Sequence, residues 1–420
     1  MPALSEAVPL RGTAKSKGPL SLTPGQLGWF AFIGLCLLIG LVAAYQVLSR
    51  GLVVTNLSDG VPWGLWITID LSAIALGAGA FTLSAVVYLF GLKAFQPIVR
   101  LAVYVGFIGY TTALLTLVMD IGRPDRFWHP WVYWNVHSVL WEITWCITIY
   151  LTILMIEFAP VLAELPLFAR WPVLRRVAHG LHRAAPYLAL VGLLISLLHQ
   201  SSLGATYGVL RSRPIWFKPS MPIMFIVSAI AVGPALTMGA AIVIQWVTGR
   251  RAVPPELLRT IARFSGLGLL AYLYIKLWDL AAVSYYGRTP ASDRALFVLN
   301  EQTPYGFGFW VGEILLGLVV PAFLFLSPRF RRQPLALFVG SALATAGIVI
   351  HRWNVTVSGL VVPQAYSPGS LISTTAQAYS PSLAEWGIAL GVIGYALLMF
   401  TLGVRFLPLF DTKAAAKESG

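Results

Sequence analysis

Long stretches of apolar residues, separated by Pro, Gly and charged clusters, recur along the whole chain. A helix needs about 20 apolar residues to cross the hydrocarbon core of a bilayer, and ten stretches reach that length. They lie near residues 28–48, 63–92, 98–119, 136–158, 185–206, 222–247, 265–286, 307–326, 335–355 and 384–406. The pattern therefore predicts ten membrane-spanning helices, numbered spans 1 to 10 in chain order.

The order of the spans predicts an all-α polytopic membrane protein with two four-helix bundles and two peripheral helices. Spans 2 to 5 would form one bundle over residues 63–206, and spans 6 to 9 a second bundle over 222–355. We expect the transmembrane domain to cover residues 28–406, between cytoplasmic tails at 1–27 and 407–420. No small-residue cleavage pattern follows span 1, so we expect a retained helix and not a signal peptide.

Lys and Arg residues are distributed unequally between alternate loops. If the N-terminus is cytoplasmic, more than twice as many of them fall in the tails and inner loops as in the outer loops. Lys276 and Arg352 lie inside apolar stretches. Basic residues concentrate on the cytoplasmic side of membrane proteins. The asymmetry therefore predicts a multi-pass protein of the inner membrane with both termini in the cytoplasm.

Composition restricts the class of protein further. Hydrophobic residues make up 58% of the chain and charged residues 11%, and the mean hydropathy is +0.78. Soluble domains usually carry about 25% charged residues, so a soluble enzyme and a disordered chain are excluded. The formal net charge of +13 indicates membrane topology and not nucleic-acid binding, because the basic residues concentrate in short loops.

The chain offers few ligands for a redox centre of its own. Its two cysteines, Cys36 and Cys146, lie in apolar stretches, whereas an iron–sulfur cluster normally needs four thiolates. A pair of haems would need histidines that face each other at matching depths in a bundle. The histidines lie in loops or at outer ends of spans: His129, His137, His179, His182, His199 and His351. A single haem between His199 and His351 stays open, but we predict no haem, no metal and no iron–sulfur cluster.

Ionisable residues inside spans are costly and usually mark functional positions. Asp70 lies about 10 Å below the outer start of span 2, at 1.5 Å per residue, and Glu142 lies at a similar depth in span 4. Asp120, His199 and Gln200 lie at the outer ends of spans 3 and 5. All five residues therefore belong to the outer half of the first predicted bundle.

Helical spacing groups some of these residues on common faces. Asn135, Ser138 and Glu142 share one stripe of the predicted span 4, and Trp66 shares a face of span 2 with Asp70. His137 falls off the span 4 stripe. This arrangement favours a site between spans 2 and 4.

A structural explanation stays open for two of the carboxylates. Asp70 and Asp120 could form ion pairs with Arg123 or Arg126, which follow closely in the sequence. Glu142 has no cation nearby in the sequence, so a functional role explains it better, with a buried ion pair as the alternative.

A second set of ionisable residues occupies spans 7 to 9. It comprises Lys276, Asp279, Glu313, His351 and Arg352. We favour a buried ion-pair network that holds helices together, and proton transfer is the alternative.

Six motifs carry a family resemblance, and together they are specific although each alone is weak. They are Val61-Pro62-Trp63-Gly64-Leu65-Trp66, Met119-Asp120-Ile121-Gly122-Arg123, Asn135-Val136-His137-Ser138-Val139-Leu140-Trp141-Glu142, Ile149-Tyr150 with Glu157-Phe158-Ala159-Pro160, His199-Gln200-Ser201-Ser202-Leu203-Gly204, and His351-Arg352-Trp353-Asn354-Val355. The chain resembles the NrfD/PsrC-type integral membrane subunits from about residue 60 to 400. Within that family it most resembles the HybB membrane subunit of quinone-linked nickel–iron hydrogenases, in its ten-span layout and its motif before Glu142.

The resemblance implies a membrane subunit of a respiratory oxidoreductase complex that carries neither haem nor metal. It implies a site for menaquinone or ubiquinone toward the outer side of the bundle at residues 63–206. An extracytoplasmic ferredoxin-like iron–sulfur subunit, together with a catalytic subunit, would exchange electrons with this quinone. Proton translocation could be coupled to that exchange.

Quinone chemistry needs groups that donate hydrogen bonds and exchange protons, because forming a quinol takes two electrons and two protons. We assign this catalytic role to Glu142, His199 and Asp70. The expected quinone contacts are Trp66, Asn135, Ser138, Gln200 and Asp120. The expected proton path comprises Glu157, Asp279, Glu313 and Arg352.

The outer loops are rich in Trp, Tyr and Pro, above all at residues 120–135 and 357–384. Exposed apolar loops usually have partners, so we expect the iron–sulfur subunit to dock there. Two other classes of function stay open. A secondary transporter or ion channel would bind its substrate with the intramembrane carboxylates, and a purely structural anchor would keep the loops but tolerate the loss of Glu142.

Overall fold

The computed structural model describes residues 23–165, 172–211, 213, 215–250, 253–289, 293, 296–300, 303–362 and 379–410. Most of both predicted tails, and the stretch 363–378 of the predicted docking loop, lie outside the described residues. The described part of the chain contains helices, turns and irregular segments but no strand. The predicted all-α fold is confirmed.

Ten helices of the described chain are long and apolar enough to cross a membrane, which confirms the polytopic architecture. The bounds of spans 1 to 10 are Pro24–Arg50, Leu65–Leu76 continued by Gly79–Tyr88, Gln96–Asp120, Val139–Ala163, Pro172–Gly208, Met221–Thr248, Pro255–Ala281, Gly308–Val319 continued by Val320–Leu326, Pro334–Val361 and Leu383–Phe406.

Three spans begin away from the ends of their apolar stretches. Spans 5 and 7 begin early, at Pro172 and Pro255, because proline suits the first turn of a helix, where its missing N–H is not needed. Span 4 begins late, at Val139, because Ser138 has an extended backbone and its hydroxyl accepts a hydrogen bond from Trp141 N at 3.3 Å. This is the geometry of an N-cap.

Successive spans run in opposite directions, so their loops alternate between two faces of the molecule. One face carries the loops at 51–64, 121–138 and 215–220, and we call it the aromatic face. The opposite face carries the loops at 89–95 and 327–333, and we call it the arginine face. The aromatic face is the side that the charge asymmetry predicts to be outer.

The spans pack as two rings of four neighbours. In the first ring, span 2 packs on span 3, span 3 on span 4, span 4 on span 5, and span 5 returns to span 2. In the second ring, spans 6, 7, 8 and 9 follow each other in the same way, and span 9 returns to span 6. Spans 1 and 10 pack against each other beside span 3. The arrangement as two four-helix bundles with two peripheral helices stays a prediction that this order of contacts supports.

Glycines allow close contact between several spans. A side chain at Gly233 in span 6 would lie 2.2 Å from the backbone of Gly79 in span 2, where the two rings meet. Gly317 and Gly347 bring spans 8 and 9 equally close. Small residues are typical of helix interfaces in membranes, because they let two backbones approach.

Span 2 is interrupted in the middle of the membrane. Its first helix ends at Leu76 and the second begins at Gly79. The N–H of Gly77 still donates to the carbonyl of Ala73, at 2.9 Å, so the break leaves that backbone donor satisfied. A break of this kind is tolerated in a membrane where it is enclosed by protein, and here span 3 covers it at Gly109.

Candidate functional site

Several buried polar side chains in the aromatic half of the first ring have atoms without a hydrogen-bond partner among the described residues. These atoms are Asp70 Oδ1, Asp120 Oδ1, His199 Nε2, and Oε1 and Nε2 of Gln200. Buried polar atoms are normally paired. Unpaired atoms on spans 2, 3 and 5 therefore mark a place where a polar ligand can bind.

His199 is held by a tyrosine of the neighbouring helix. It is fully buried in span 5, and its Nδ1 lies 3.3 Å from the hydroxyl of Tyr110 in span 3. Its Nε2 has no partner among the described residues. A neutral imidazole can donate a hydrogen bond at one nitrogen and accept one at the other, so the ring can serve Tyr110 and a ligand together.

Asp70 does not form the ion pair that its sequence neighbours suggested. It is 5% exposed in span 2, whereas Arg123 and Arg126 contact Asp125 at 3.0 and 4.0 Å. Hydrogen bonds from Arg123 lower the pKa of the exposed Asp125 carboxyl. The structural explanation of Asp70 and Asp120 by these arginines is therefore wrong, because the loop carries its own acid.

A row of carboxyl groups connects Asp70 with the aromatic face. Asp70 interacts electrostatically with Asp120 at the end of span 3, and Asp120 with Glu385 at the start of span 10. Glu385 is satisfied by the backbone N–H groups of Asn56 and Ser382, and by the Tyr379 hydroxyl. Neither aspartate has a cation within 4 Å among the described residues. Such groups can accept and pass on protons.

Glu142 contacts the helix that carries His199. It lies half-buried in the first turn of span 4 and accepts a hydrogen bond of 2.8 Å from the hydroxyl of Ser202 in span 5. Ser202 and His199 are three residues apart on one helix, so they share a face. No cation of the described chain lies within 4 Å of Glu142, so the ion-pair alternative is not observed.

Asn135 and Ser138 do not lie on a helical stripe with Glu142, because both precede the helix. The side chain of Asn135 is exposed and accepts a hydrogen bond from the backbone of His137 at 3.3 Å. Ser138 is the N-cap of span 4. Their observed hydrogen bonds hold the start of the helix, and the stripe inferred from spacing is wrong at these two positions.

Trp66 lies on a different side of span 2 from the tryptophan that precedes the helix. Its indole N–H donates to the carbonyl of Glu385 at 3.1 Å, and its ring packs against spans 1 and 10. Trp63 instead contacts Tyr207 and Trp216, with ring centroids 5.5 and 6.2 Å away. Trp66 therefore faces the peripheral helices, while Trp63 faces the junction of the two rings.

Two tyrosines extend the site toward the arginine face. Tyr150 belongs to one of the six sequence motifs, whereas Tyr110 was not singled out. The ring of Tyr150 in span 4 lies 4.6 Å from that of Tyr110. Tyr150 also interacts electrostatically with Glu157. The sequence signal for both tyrosines is a hydroxyl-bearing side chain in the middle of an apolar span.

Glu157 lines a cavity of about 70 Å³ in the arginine half of the first ring. Gln96 and Arg100 of span 3 form part of its wall, and Arg100 is paired with Glu164 at 2.8 Å. Polar groups therefore follow one another in space from the arginine face, through this cavity and the two tyrosines, toward His199.

The second set of ionisable residues lies in the second ring and forms ion pairs. Lys218, before span 6, contacts Asp279 of span 7 at 2.5 Å, and Lys276 contacts Glu313 of span 8. The predicted ion-pair network is thus present. Arg352 makes no ion pair within 4 Å with a described carboxylate; its guanidinium stacks 3.6 Å from the Phe225 ring centroid and donates to Ser228.

Known proteins resemble this chain over most of its length. Residues 53–364 match the family described as polysulphide reductase, NrfD. The chain is 35% identical to the integral membrane subunit of menaquinone reductase from Nitratidesulfovibrio vulgaris, over 92% of both chains. It is 28% identical to a subunit of selenate reductase from Mesobacillus selenatarsenatis, over 93% of this chain and 96% of the relative. It is 27% identical to the probable Ni/Fe-hydrogenase 2 b-type cytochrome subunit of Escherichia coli, over 85% of both.

Proposed function

The chain belongs to the polysulphide reductase NrfD family, and we propose that it is the quinone-reactive membrane subunit of an oxidoreductase complex. The observation that carries the proposal is the pairing of Glu142 with Ser202 beside His199, in a buried region with unpaired polar atoms. Relatives named as a menaquinone reductase subunit and a hydrogenase subunit support it. The quinone would be menaquinone or ubiquinone.

The site has the groups that a quinone headgroup needs. A quinone has two carbonyl oxygens, and each gains one proton when two electrons are added. His199 and Glu142 can each donate a hydrogen bond to an oxygen and deliver a proton, while Tyr110 and Ser202 fix their orientation. Asp70 would act as the second carboxyl group, and the unpaired amide of Gln200 would be a further donor.

Two proposed proton routes lead to this site, one from each face of the molecule. The proposed proton route from the arginine face passes Glu157, Tyr150 and Tyr110 before His199, and the carboxyl row through Asp120 offers a route from the aromatic face. Electrons would enter at the aromatic face, because the site lies in that half of the membrane. We propose that this face is extracytoplasmic, that both termini are cytoplasmic and that the chain spans the inner membrane.

The proposed partners are a ferredoxin-like iron–sulfur subunit and a catalytic subunit. Large aromatic side chains at 127–134 are exposed on the aromatic face, among them Phe127, Trp128, Trp131, Tyr133 and Trp134. A soluble face with this many exposed rings usually has a partner. The adjoining stretch 363–378, which was also predicted to dock it, lies outside the described residues.

We expect crosslinking in intact membranes to join residues 121–138 to an iron–sulfur protein that co-purifies with the chain. A crosslinkable residue placed at Tyr133 would report on the aromatic face, and one at Arg329 on the arginine face serves as the matched control. The crosslinked partner is identified by mass spectrometry and by its iron content. Crosslinks that form only from Arg329 would contradict the proposed docking side.

We expect the subunit to bind no haem of its own. His199 and His351 are the candidates for a single haem, but His199 lies against Tyr110 in the first ring and His351 against Glu313 in the second, so the two imidazoles do not face each other within one four-helix bundle. An absorbance spectrum of the purified subunit after dithionite reduction tests this, and it should lack α and Soret bands. Because the E. coli relative is named a b-type cytochrome subunit, haem bands that vanish in His199→Gln would refute the expectation.

One observation favours a second candidate, a secondary transporter. Discontinuous helices near the midplane are typical of transporter binding sites, and span 2 is broken at Gly77 within two turns of Asp70. Asp70, Asp120 and Glu142 lie toward the aromatic face and not at the midplane, which favours the quinone site. The quinone hypothesis predicts that the native complex turns over quinone, whereas the transporter hypothesis predicts no such turnover. Measuring quinone turnover decides between them.

A further inference from the structure

A cavity in the second ring leads from the aromatic face to buried charged side chains. Its volume is about 70 Å³. Lys218 and Asp279, which pair with each other, form part of its wall near the aromatic face. Lys276, Glu313 and His351 line its inner part. The cavity therefore offers these three residues a connection toward the aqueous phase.

The three inner residues form a closed triad of contacts. The Glu313 carboxylate contacts the ammonium of Lys276, and its Oε1 lies 2.8 Å from His351 Nδ1. Lys276 Nζ lies 3.1 Å from the same nitrogen. Asn354 donates to the other carboxylate oxygen at 3.0 Å. Glu313 and His351 are each 1% exposed and Lys276 is 6% exposed.

This arrangement suits a group that exchanges protons. His351 Nδ1 lies between a donor, the Lys276 ammonium, and an acceptor, the Glu313 carboxylate, so it can serve either role by a change of tautomer. When Nδ1 donates to Glu313, Nε2 is free to accept a proton, and it has no partner among the described residues. Binding one proton there adds one positive charge to the triad. A purely structural ion pair would need neither the histidine nor the cavity.

The backbone beneath Glu313 is also unusual. Residues Gly308–Val319 form a π-helix, a conformation that is rare and concentrates at functional sites. Gly317 packs directly on Gly347, one turn before His351. This contact fixes the depth of spans 8 and 9 relative to each other, and so the contact between Glu313 and His351.

Buried polar groups connect the triad with the first ring. Arg352 follows His351 in span 9, and its guanidinium lies 3.6 Å from the ring centroid of Phe225, which lies 6.3 Å from that of Tyr207 in span 5. Tyr207 in turn contacts Trp63 at the start of span 2, with ring centroids 5.5 Å apart. A charge on the triad can therefore act on the proposed headgroup site through a low-dielectric interior, where charge interactions are less screened than in water.

We propose that Lys276, Glu313 and His351 form a second proton-exchanging site, which takes up protons from the aqueous phase at the aromatic face. The charge of this site controls quinone reduction in the first ring. Proton binding makes the triad more positive and favours electrons at the headgroup, and release has the opposite effect. The groups that face the triad are Lys218, Asp279, Tyr272 and Arg352. This inference rests on the proposed quinone function.

Access to the cavity is tested by cysteine labelling in the full chain. Val283, in the π-helix Ala282–Tyr286 that follows span 7, lines the cavity, whereas Leu269 of span 7 is fully buried away from it. A membrane-impermeant maleimide added at the aromatic face should label Val283→Cys and not the control Leu269→Cys. The native Cys36 and Cys146 are buried. If Val283→Cys is labelled only from the arginine face, the proposed opening is refuted.

The control of turnover is tested with the native complex in liposomes. Reduced methyl viologen supplies electrons, a soluble quinone analogue accepts them, and pH is varied only in the compartment at the aromatic face. Wild-type turnover should fall as that pH rises, by about fivefold or more, the lower range of coupling between two sites. Glu313→Gln should lose this part of the pH response. The double variant Lys276→Met with Glu313→Gln should lose it too, and it avoids leaving the Lys276 ammonium buried without its carboxylate partner.

The outcomes separate the two proposals. A pH response that is unchanged in both variants, or a wild-type turnover indifferent to that compartment, would overturn the second site and leave the quinone function intact. Absence of quinone turnover in the wild-type complex would overturn both. If Glu313→Gln fails to assemble, the double variant, which is neutral at this position, supplies the result.

Discussion

Glu142→Gln is expected to lower quinone-linked turnover per assembled complex by about 10²–10⁴-fold, the usual contribution of general acid–base catalysis. Glutamine keeps the size of the side chain and can still accept the hydrogen bond from Ser202. It has no exchangeable carboxyl proton. The fold and the assembly with partner subunits should therefore survive, while proton delivery to the quinone fails.

The matched control is Glu256→Gln at the start of span 7. The carboxylate of Glu256 is exposed near the arginine face and pairs with Arg259, so turnover should be unchanged. Electron transfer to an artificial acceptor that bypasses the membrane subunit shows whether the catalytic subunit is intact. Normal quinone turnover in Glu142→Gln would refute the proton role and favour a structural anchor. Loss of assembled complex would indicate an ion pair, although no described cation lies within 4 Å.

The number and approximate position of the spans could be predicted because the bilayer imposes them. Each helix must bury about 20 residues in hydrocarbon, so a span can be recognised from the apolar composition of its segment alone. The ends of the helices were harder to predict, because caps and not hydropathy decide them. Asn135 and Ser138 fit the spacing of a helix, yet the hydrogen bond from Trp141 N to Ser138 places both before its first turn.

The partners of the site residues could not be predicted from the sequence. Which side of a helix faces which neighbour depends on the packing order, and side chains far apart in sequence meet only after packing. Tyr110 meets His199 and Ser202 meets Glu142 across helices. Trp66 shares a helical face with Asp70 by spacing, but spans 1 and 10 cover it.

Charge pairing shows the same limit in a second way. Proximity in sequence suggested that arginines after span 3 pair with Asp70 and Asp120. Arg123 instead forms an ion pair with Asp125 in the same loop. Lys218 pairs instead with Asp279, which is 61 residues away. Ionisable residues inside spans could be recognised as unusual because placing a charge in the membrane costs free energy. Their ion-pair partners, however, depended on the tertiary structure.

His199→Gln is expected to reduce quinone turnover by a similar factor, about 10²–10⁴. Glutamine can keep a hydrogen bond to the Tyr110 hydroxyl, but its amide cannot carry a proton to the quinone. His137→Gln is the matched control, because His137 is exposed in the turn before span 4 and should tolerate the change. An equal loss in both variants would point to the general effect of removing a histidine near the aromatic face.

The double variant shows whether the two residues serve one proton-transfer step. If Glu142 and His199 act together on the same quinone, removing either one already abolishes that step. The loss in Glu142→Gln with His199→Gln should then be much smaller than the product of the single losses, as is found for residues that act as a unit. Losses that multiply would mean that the residues act on separate steps. The placement of Ser202 and His199 on one helical face, opposite Glu142, favours the shared step.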